Sequence, residues 1–413
     1  MTLAVIEGFE AFKPYVDNNG FGSTDQEALY EAFLAQVFYD VGSDISSSSS
    51  PVPFISGRYG GVALVTQSTT SNVNLTFRPF ETHNEATVGF AIKINDVQSP
   101  SSFSYLFCPV YIDSDGFVWR NNSIPGTTAN DGVITLEITS NSPYTWDLDL
   151  VRGSSTIDST LARFPVGGWW YIEFNYKLGT AGVADGHYNL RVNNQLVLSQ
   201  TGVQMLDSGF AGVESSFNSI EFKNVRDFYG IGGIDDIYVN TANGPGPNFT
   251  GEFLGDCVVE GTVVAGSGVP MQWTRANVAS NWHAHTGAYE PDNGLATGSV
   301  GSTGYVYTSV VGREDYYSLS GLSVITGDAL GMSIGITARN TVSTETGQIA
   351  VREKDPVAGL SGEATPFSLV AQNGAATTSY QTYYTILSGS LVDGSTINNS
   401  IITGHTFGFV KKA

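Results

Sequence analysis

"GGIDDIYVNTANGPGPNFTGEFLGD", residues 232–256, joins two kinds of sequence: an apolar segment bearing the adjacent carboxylates Asp235 and Asp236, and a run of Gly, Pro and Asn. The first half reads as a strand. Consecutive side chains of an extended strand point to opposite faces, so two neighbouring carboxylates neither share a proton nor flank one scissile bond. The second half breaks both strand and helix. The stretch therefore reads as the last strand of one β domain followed by a linker, which divides the chain into residues 1–242, a crossover at 243–256 and a second domain at 257–413.

Upstream, short β-rich segments follow one another from Gly57: "GVALVTQ", "SNVNLTFRPF", "ATVGFAIKI", "FSYLFCPVYI", "VITLEIT", "YTWDLDLVR", "GWWYIEFNYKL" and "HYNLRVNNQLVLSQ" among them. Many alternate apolar and polar residues, which on a strand sends one set inward and the other outward. Turn residues separate them, as in "DSDG" (113–116), "ADG" (184–186) and Asn193–Asn194. So many strands fit an antiparallel jelly-roll sandwich better than a seven-strand immunoglobulin type. One helix is expected in this domain: "STDQEALYEAFLAQVFYD", residues 23–40, has a capping box at its start and the stripe Leu29, Phe33, Val37 at helical spacing. "SDISSSSSPVP", residues 43–53, is a loop. Beyond the linker, segments such as "GDCVVEGTVV", "DYYSLSGLSVI" and "HTFGFVKK" read as strands without a helix, so the second domain is also β. The fold class is all-β: a concanavalin A-like jelly roll with one inserted helix, then a second β-sandwich-like domain.

Composition agrees. Of 413 residues, 48 are Gly, 12% are aromatic and only 14% are charged, a β-rich rather than a disordered balance. The formal net charge of -21 excludes nucleic acid and anionic membrane as partners, because both would repel the chain. No apolar run approaches the roughly 18 residues of a membrane span. The opening "MTLAVIEGFEAF" lacks the basic start and long apolar stretch of a signal peptide. Cys108 and Cys257 sit in separate apolar segments and read as two buried free thiols.

Candidate chemistry is sparse. Asp147 and Asp149 in "WDLDL" are two apart and share a face, with Trp146, Leu148 and Leu150 on the other. Glucanases on such jelly rolls need a further Glu on that strand as acid/base, and none stands between Pro143 and Arg152. No catalytic residue, resident metal or cofactor is assigned; "DSDG" leaves a calcium loop open, though it fits a hairpin turn. His283 and His285 in "NWHAHTG" lack a third ligand at zinc spacing. Trp119 and Trp170, with Asp147 and Asp149, are the candidate glycan contacts, because an outward Trp on a sheet face can stack on a sugar ring.

The openings "LAVIEGFE" and "SGRYGGVAL", then "GWWYIEFNYKL", "NLRVNNQLVLSQTG", "GGIDDIYVNT" and "NFTGEFLGDCVVEGTVVAGSGVPMQWT", occur in one order over residues 3 to 275. In that order they resemble virion proteins of tailed bacteriophages that begin with a concanavalin A-like, laminin-G-like jelly roll. The resemblance implies a structural, non-enzymatic component of a virion, a head decoration, fibre or tail appendage. It would assemble in the host cytoplasm and be released by lysis. The implied partners are other virion proteins, copies of itself in a homo-oligomer (a trimer by analogy) and host surface glycan. Two other readings stand beside it: a polysaccharide depolymerase on the jelly roll, and a secreted bacterial lectin or adhesin.

Overall fold

The computed structural model describes residues 2–7, 38–40, 54–56, 58, 62–64, 75–77, 80–94, 104–112, 118–119, 133–142, 145–153, 155–160, 164–222, 231–241, 253–262, 264–276, 305–338, 340, 347–357, 359, 361–369, 381–388, 391 and 396–413. The chain divides into two compact units, Met1–Phe9 with Val37–Val259 and Glu10–Gln36 with Glu260–Ala413.

The first unit holds two antiparallel sheets. One runs Gln195–Val203, Gly186–Val192, Trp169–Lys177, Glu85–Ile94, Ile231–Thr241, Val62–Leu64 and Phe54–Ser56, with Thr2–Glu7 also paired to Ile231–Thr241. Its opening strand thus lies beside the strand that bears the acidic doublet. The other runs Ser155–Ser159, Thr145–Arg152, Ile134–Ser142, Ser104–Ile112, Ser219–Phe222, Leu75–Phe77 and Phe38–Asp40. Neighbours in space are often distant in sequence, as a jelly roll requires.

The alternation of the sequence decides what lies between the sheets. From the first sheet come Phe90, Ile172, Phe174, Tyr176 and Leu190; from the second come Phe107, Leu136, Leu148 and Phe222, all of them buried. Their rings meet edge to face: Phe90 with Phe222 at 5.1 Å between centroids and Phe107 with Phe174 at 5.9 Å. Each such side chain contributes about 1.5–3 kcal/mol by leaving water. The turn at Asn193–Asn194 has φ of 47° and 65°, the left-handed pair that a two-residue hairpin needs and that Asn tolerates. At the edge of the first sheet, Gln195–Val203 pairs on one side only among the described residues, and two irregularities break its register with Gly186–Val192.

The second unit has a six-stranded sheet in which Val264–Met271, Glu314–Leu319, Thr406–Lys411, Gln348–Lys354 and Ser361–Glu363 lie side by side, with Phe367–Ser368 on Gln348–Lys354. Two ribbons accompany it, Thr274–Ala276 with Tyr305–Tyr307 and Gly331–Ala338 with Gln381–Ser388.

The all-β class and the antiparallel sandwich agree with the sequence reading, and three details correct it. Phe38–Asp40 is a strand, not the end of a helix, while residues 23–37 fall outside the described residues. The second unit contains a short helix, Asn399–Gly404, whose start is capped by the Asn398 side chain accepting from Ile401 N–H; six residues are too few to show a helical stripe. And "GDCVVE" is not a strand: residues 253–262 are irregular, and the N–H groups of Leu254, Gly255 and Val259 go to side chains described below.

One buried group makes the core sensitive to acid. His83 is stacked on Phe80 at 5.3 Å, its Nε2 is 2.8 Å from Tyr176 Oη, and burial lowers its pKa from 6.5 to about 4. The unfolded chain therefore takes up a proton between pH 6.5 and 4 that the folded chain refuses, and folding loses roughly 3 kcal/mol across that window. Denaturant titrations of the native protein and of His83→Gln should diverge as pH falls from 7 to 4, the variant losing less stability than the native; parallel curves would rule out His83 as the responsible group.

Candidate functional site

The first sheet buries one face and turns the other away from the core. On Trp169–Lys177 the outward residues are Glu173, Asn175 and Lys177, and on Gly186–Val192 they are His187, Asn189 and Arg191, each opposite its partner in register. Following that register across five strands lines up Asn240, Thr87, Asn175, Asn189 and Ser199 in one row. The row is a hydrogen-bonded ladder. Asn175 Nδ2 donates to Thr87 Oγ1 at 3.0 Å, Asn189 Nδ2 donates to Asn175 Oδ1 at 3.2 Å, and Ser199 Oγ donates to Asn189 Oδ1 at 2.7 Å. At the end of the ladder Asn240 is fully buried with neither amide atom hydrogen-bonded.

A second row, Glu85, Lys177, His187 and Thr201, flanks the ladder on the side away from the acidic doublet. His187 Nε2 lies 3.2 Å from Asn175 Oδ1 and 4.0 Å from Glu85 Oε1. The His187 and Glu85 side chains are 22% and 30% exposed, whereas Asn175 and Thr87 are buried. The ladder is thus a floor of amides and hydroxyls with a partly exposed imidazole and carboxylate at its rim. No motif announces it: the five residues are spread from 87 to 240 and only strand register joins them.

On the other side of the ladder the same face is covered. Tyr238 lies over Gly89, and its hydroxyl donates to Glu173 Oε1 at 2.6 Å. The same oxygen accepts Gly255 N–H at 2.8 Å, Leu254 N–H donates to Tyr238 Oη at 3.2 Å, and Arg191 sits 4.0 Å from the Phe253 ring centroid. Residues 253–259 therefore lie on the sheet without pairing to it. Burial raises both Tyr171 and Tyr238 well above the ordinary phenol value, and it pushes the Cys257 thiol up to about 12. All three are protonated at neutral pH.

The acidic doublet behaves otherwise than alternation predicts. Asp236 has φ of 51° and sits in a register break between Asp235 and Tyr238. This bulge defeats the opposite-face rule. Arg58 engages both carboxylates, its N–H donating to Asp235 Oδ2 at 2.9 Å while Nη1 lies 3.6 Å from Asp236 Oδ2. Asp235 Oδ1 also accepts Asp236 N–H at 2.8 Å, and Asp236 Oδ1 accepts Val259 N–H at 2.7 Å. Arg58 further pairs with Asp256. Both carboxylates are buried and spent on holding backbone and Arg58.

The residues singled out from sequence lie elsewhere. Asp147 and Asp149 share the outward face of Thr145–Arg152 in the second sheet, with Trp146, Leu148 and Leu150 buried in the core. Asp149 accepts from Thr139 Oγ1 and Ser159 Oγ, each at 2.5 Å. Directly opposite it in register stands Glu137, a carboxylate that a search along one strand misses because the neighbouring strand supplies it. Trp170 points toward the core side: it is 5.9 Å from Trp146 and 5.2 Å from Phe164 between centroids, with Nε1 donating to Pro165 O at 3.1 Å. Trp119 ends the short strand Val118–Trp119, paired with Tyr111. Residues 113–116, His283 and His285 lie outside the described residues. Among the described residues no group of three or more His, Cys, Asp or Glu is arranged to hold a metal ion, and no helix is long and apolar enough to cross a membrane.

No protein-family model matches the chain, and no curated protein sequence does. It is similar to several solved structures. Alginate lyase Aly36B is 10% identical, over 58% of this chain and 96% of that one, with a TM-score of 0.35. An endo-β-1,4-glucuronan lyase from the fungus Trichoderma reesei is 14% identical, over 50% and 91%, with a TM-score of 0.32. The Emp47p carbohydrate recognition domain is 15% identical, over 49% and 97%, with a TM-score of 0.29. Likeness at this level concerns the fold, and it agrees with the concanavalin A-like jelly roll. The expectation of a chain without enzymatic activity is not retained: two of these three proteins are named as polysaccharide lyases.

The close approach of Tyr238 to Gly89 can be tested directly. A Cβ at position 89 would lie 2.0 Å from Tyr238 Cε1, so the ring must move and its hydroxyl must leave Glu173. Gly89→Ala should cost about 1–3 kcal/mol in chemical denaturation; a variant as stable as the native protein would show that the ring is not held there.

Proposed function

We propose that the first unit binds a neutral, hydroxyl-rich polysaccharide along the outward face of its first sheet. The observation that carries this is the accessible set Asn189, Ser199, His187 and Glu85, held from beneath by the buried Asn175 and Thr87. Strands about 4.8 Å apart bring the Asn189 amide and the Ser199 hydroxyl to the surface at a spacing comparable with one sugar ring. Amides donate and accept at once, which suits hydroxyls, and the buried floor holds them in fixed orientation. A net charge of -21 favours neutral chains over polyanions by long-range repulsion. A second reading, cleavage on the same face, is favoured by His187: an imidazole with an amide oxygen at 3.2 Å and a carboxylate at 4.0 Å is placed to move a proton. The setting implied by the sequence resemblance, an oligomer displayed on a phage particle, is part of the proposal.

Binding should be measured against soluble neutral β-glucan and mannan, with alginate as the polyanion. One neutral glycan should bind more tightly than alginate, and Asn189→Ala and His187→Ala should each weaken it by about tenfold at a temperature where thermal unfolding shows both variants fully folded, since a hydrogen bond to a sugar contributes about 0.5–1.5 kcal/mol. Unchanged affinity in both variants would remove this face from consideration. Release of reducing ends from the neutral glycan, lost in His187→Ala, would establish hydrolytic cleavage. Mass spectrometry of purified particles decides the setting.

A further inference from the structure

The polar face does not end where it becomes covered, and its covered part has the features of a second stretch of the same surface. We propose that residues 253–259 form a strap over further sugar-binding positions, Tyr171, Glu173, Arg191 and Tyr238, and that the strap lifts when a polysaccharide binds across these rows as well as along the ladder. This rests on the glycan-binding reading above.

Three observations carry it. First, the positions are continuous with the ladder. Tyr238, Glu173 and Arg191 form the next row of the same face, and Tyr171 lies in the row beyond. Second, the strap is attached without a backbone ladder. Its N–H groups at Leu254, Gly255 and Val259 each reach one side-chain oxygen, on Tyr238, Glu173 and Asp236, while Phe253 lies on Arg191 and Arg58 binds Asp256 and Cys257 O. A segment held by a few side-chain contacts opens independently of the sheet beneath it. Third, the strap matches what it covers incompletely. Glu173 Oε2 and Arg191 Nε are buried without a hydrogen-bond partner. An acceptor and a donor left over on the sheet face are the groups that sugar hydroxyls would satisfy, and the Tyr238 ring lying over Gly89 supplies an aromatic surface between the strands.

Cys257 reports on the strap, since its thiol is covered and pushed up to about 12 by burial, and so reacts slowly while the strap is down. The experiment measures the rate at which a thiol reagent labels Cys257, located by peptide mass spectrometry, together with affinity for long-chain β-glucan and mannan. It compares the native protein with the double variant Phe253→Ala, Asp256→Asn and with Arg58→Lys, which keeps the charge. The double variant should label about tenfold faster and bind the preferred glycan about tenfold more tightly, as expected when the binding-competent fraction rises. Saturating glycan should also speed labelling in the native protein. Faster labelling with unchanged affinity, slower labelling on adding glycan, or labelling that stays slow in both variants overturns the strap while leaving the ladder intact. Absence of binding to either glycan in native and released proteins alike overturns the glycan reading and the strap with it.

Discussion

The first unit depends on the unbroken register of one strand. Trp169–Lys177 pairs with Glu85–Ile94 over nine positions and with Gly186–Val192 over six, and neither ladder contains a shift. A slip of one residue would exchange its two faces, moving Phe174 and Tyr176 out of the core and Glu173 and Asn175 into it. Burial of the aromatic set therefore fixes, without further cost, which polar groups meet across the outward face. Register irregularities in this sheet fall outside those two ladders, at Gly186 and Leu190 on one side and, on the other, at Ile231, at the acidic doublet and at Leu3.

From that fixed centre the two ends of the outward face diverge. Toward Glu85 the side chains satisfy one another laterally, and the surface stays partly open. Toward Asp235 they satisfy the backbone of residues 253–259, and the surface is closed. The bulge at Asp236 makes this second outcome geometrically available, because a positive φ turns its carboxylate to the side already used by Asp235. Arg58 then bonds Asp235 through its backbone N–H and Asp236 and Asp256 through its guanidinium, and this one residue holds a seam that a plain strand could not form.

Much of the architecture was legible in the sequence. The alternation in "YIEFNYKL" and "HYNLRV" predicts the buried and outward sets, and Asn193–Asn194 predicts the hairpin. The misreadings share a physical origin. "GDCVVE" has strand composition, yet the N–H groups of Gly255 and Val259 find Glu173 and Asp236 before another strand, and composition does not record which acceptor wins. The doublet was misassigned because a bulge is a property of pairing and leaves no mark when only the bulged strand is read. The ladder was invisible for a related reason. Asn, Thr and Ser at single outward positions look like ordinary solvent-facing residues until register brings five of them into line. His83 likewise looks like any loop histidine until Phe80 and Tyr176 enclose it.

The outer strand of the first sheet has a bearing on the company this chain can keep. Among the described residues no strand lies beyond Gln195–Val203, and Leu196 is 57% exposed upon that edge. A straight border of that kind would template the addition of a foreign strand and, by repetition, fibrils. Its two kinks relative to Gly186–Val192 spoil the even spacing that such templating requires. Along this border the kinks therefore oppose strand-to-strand joining when copies of the protein are crowded together.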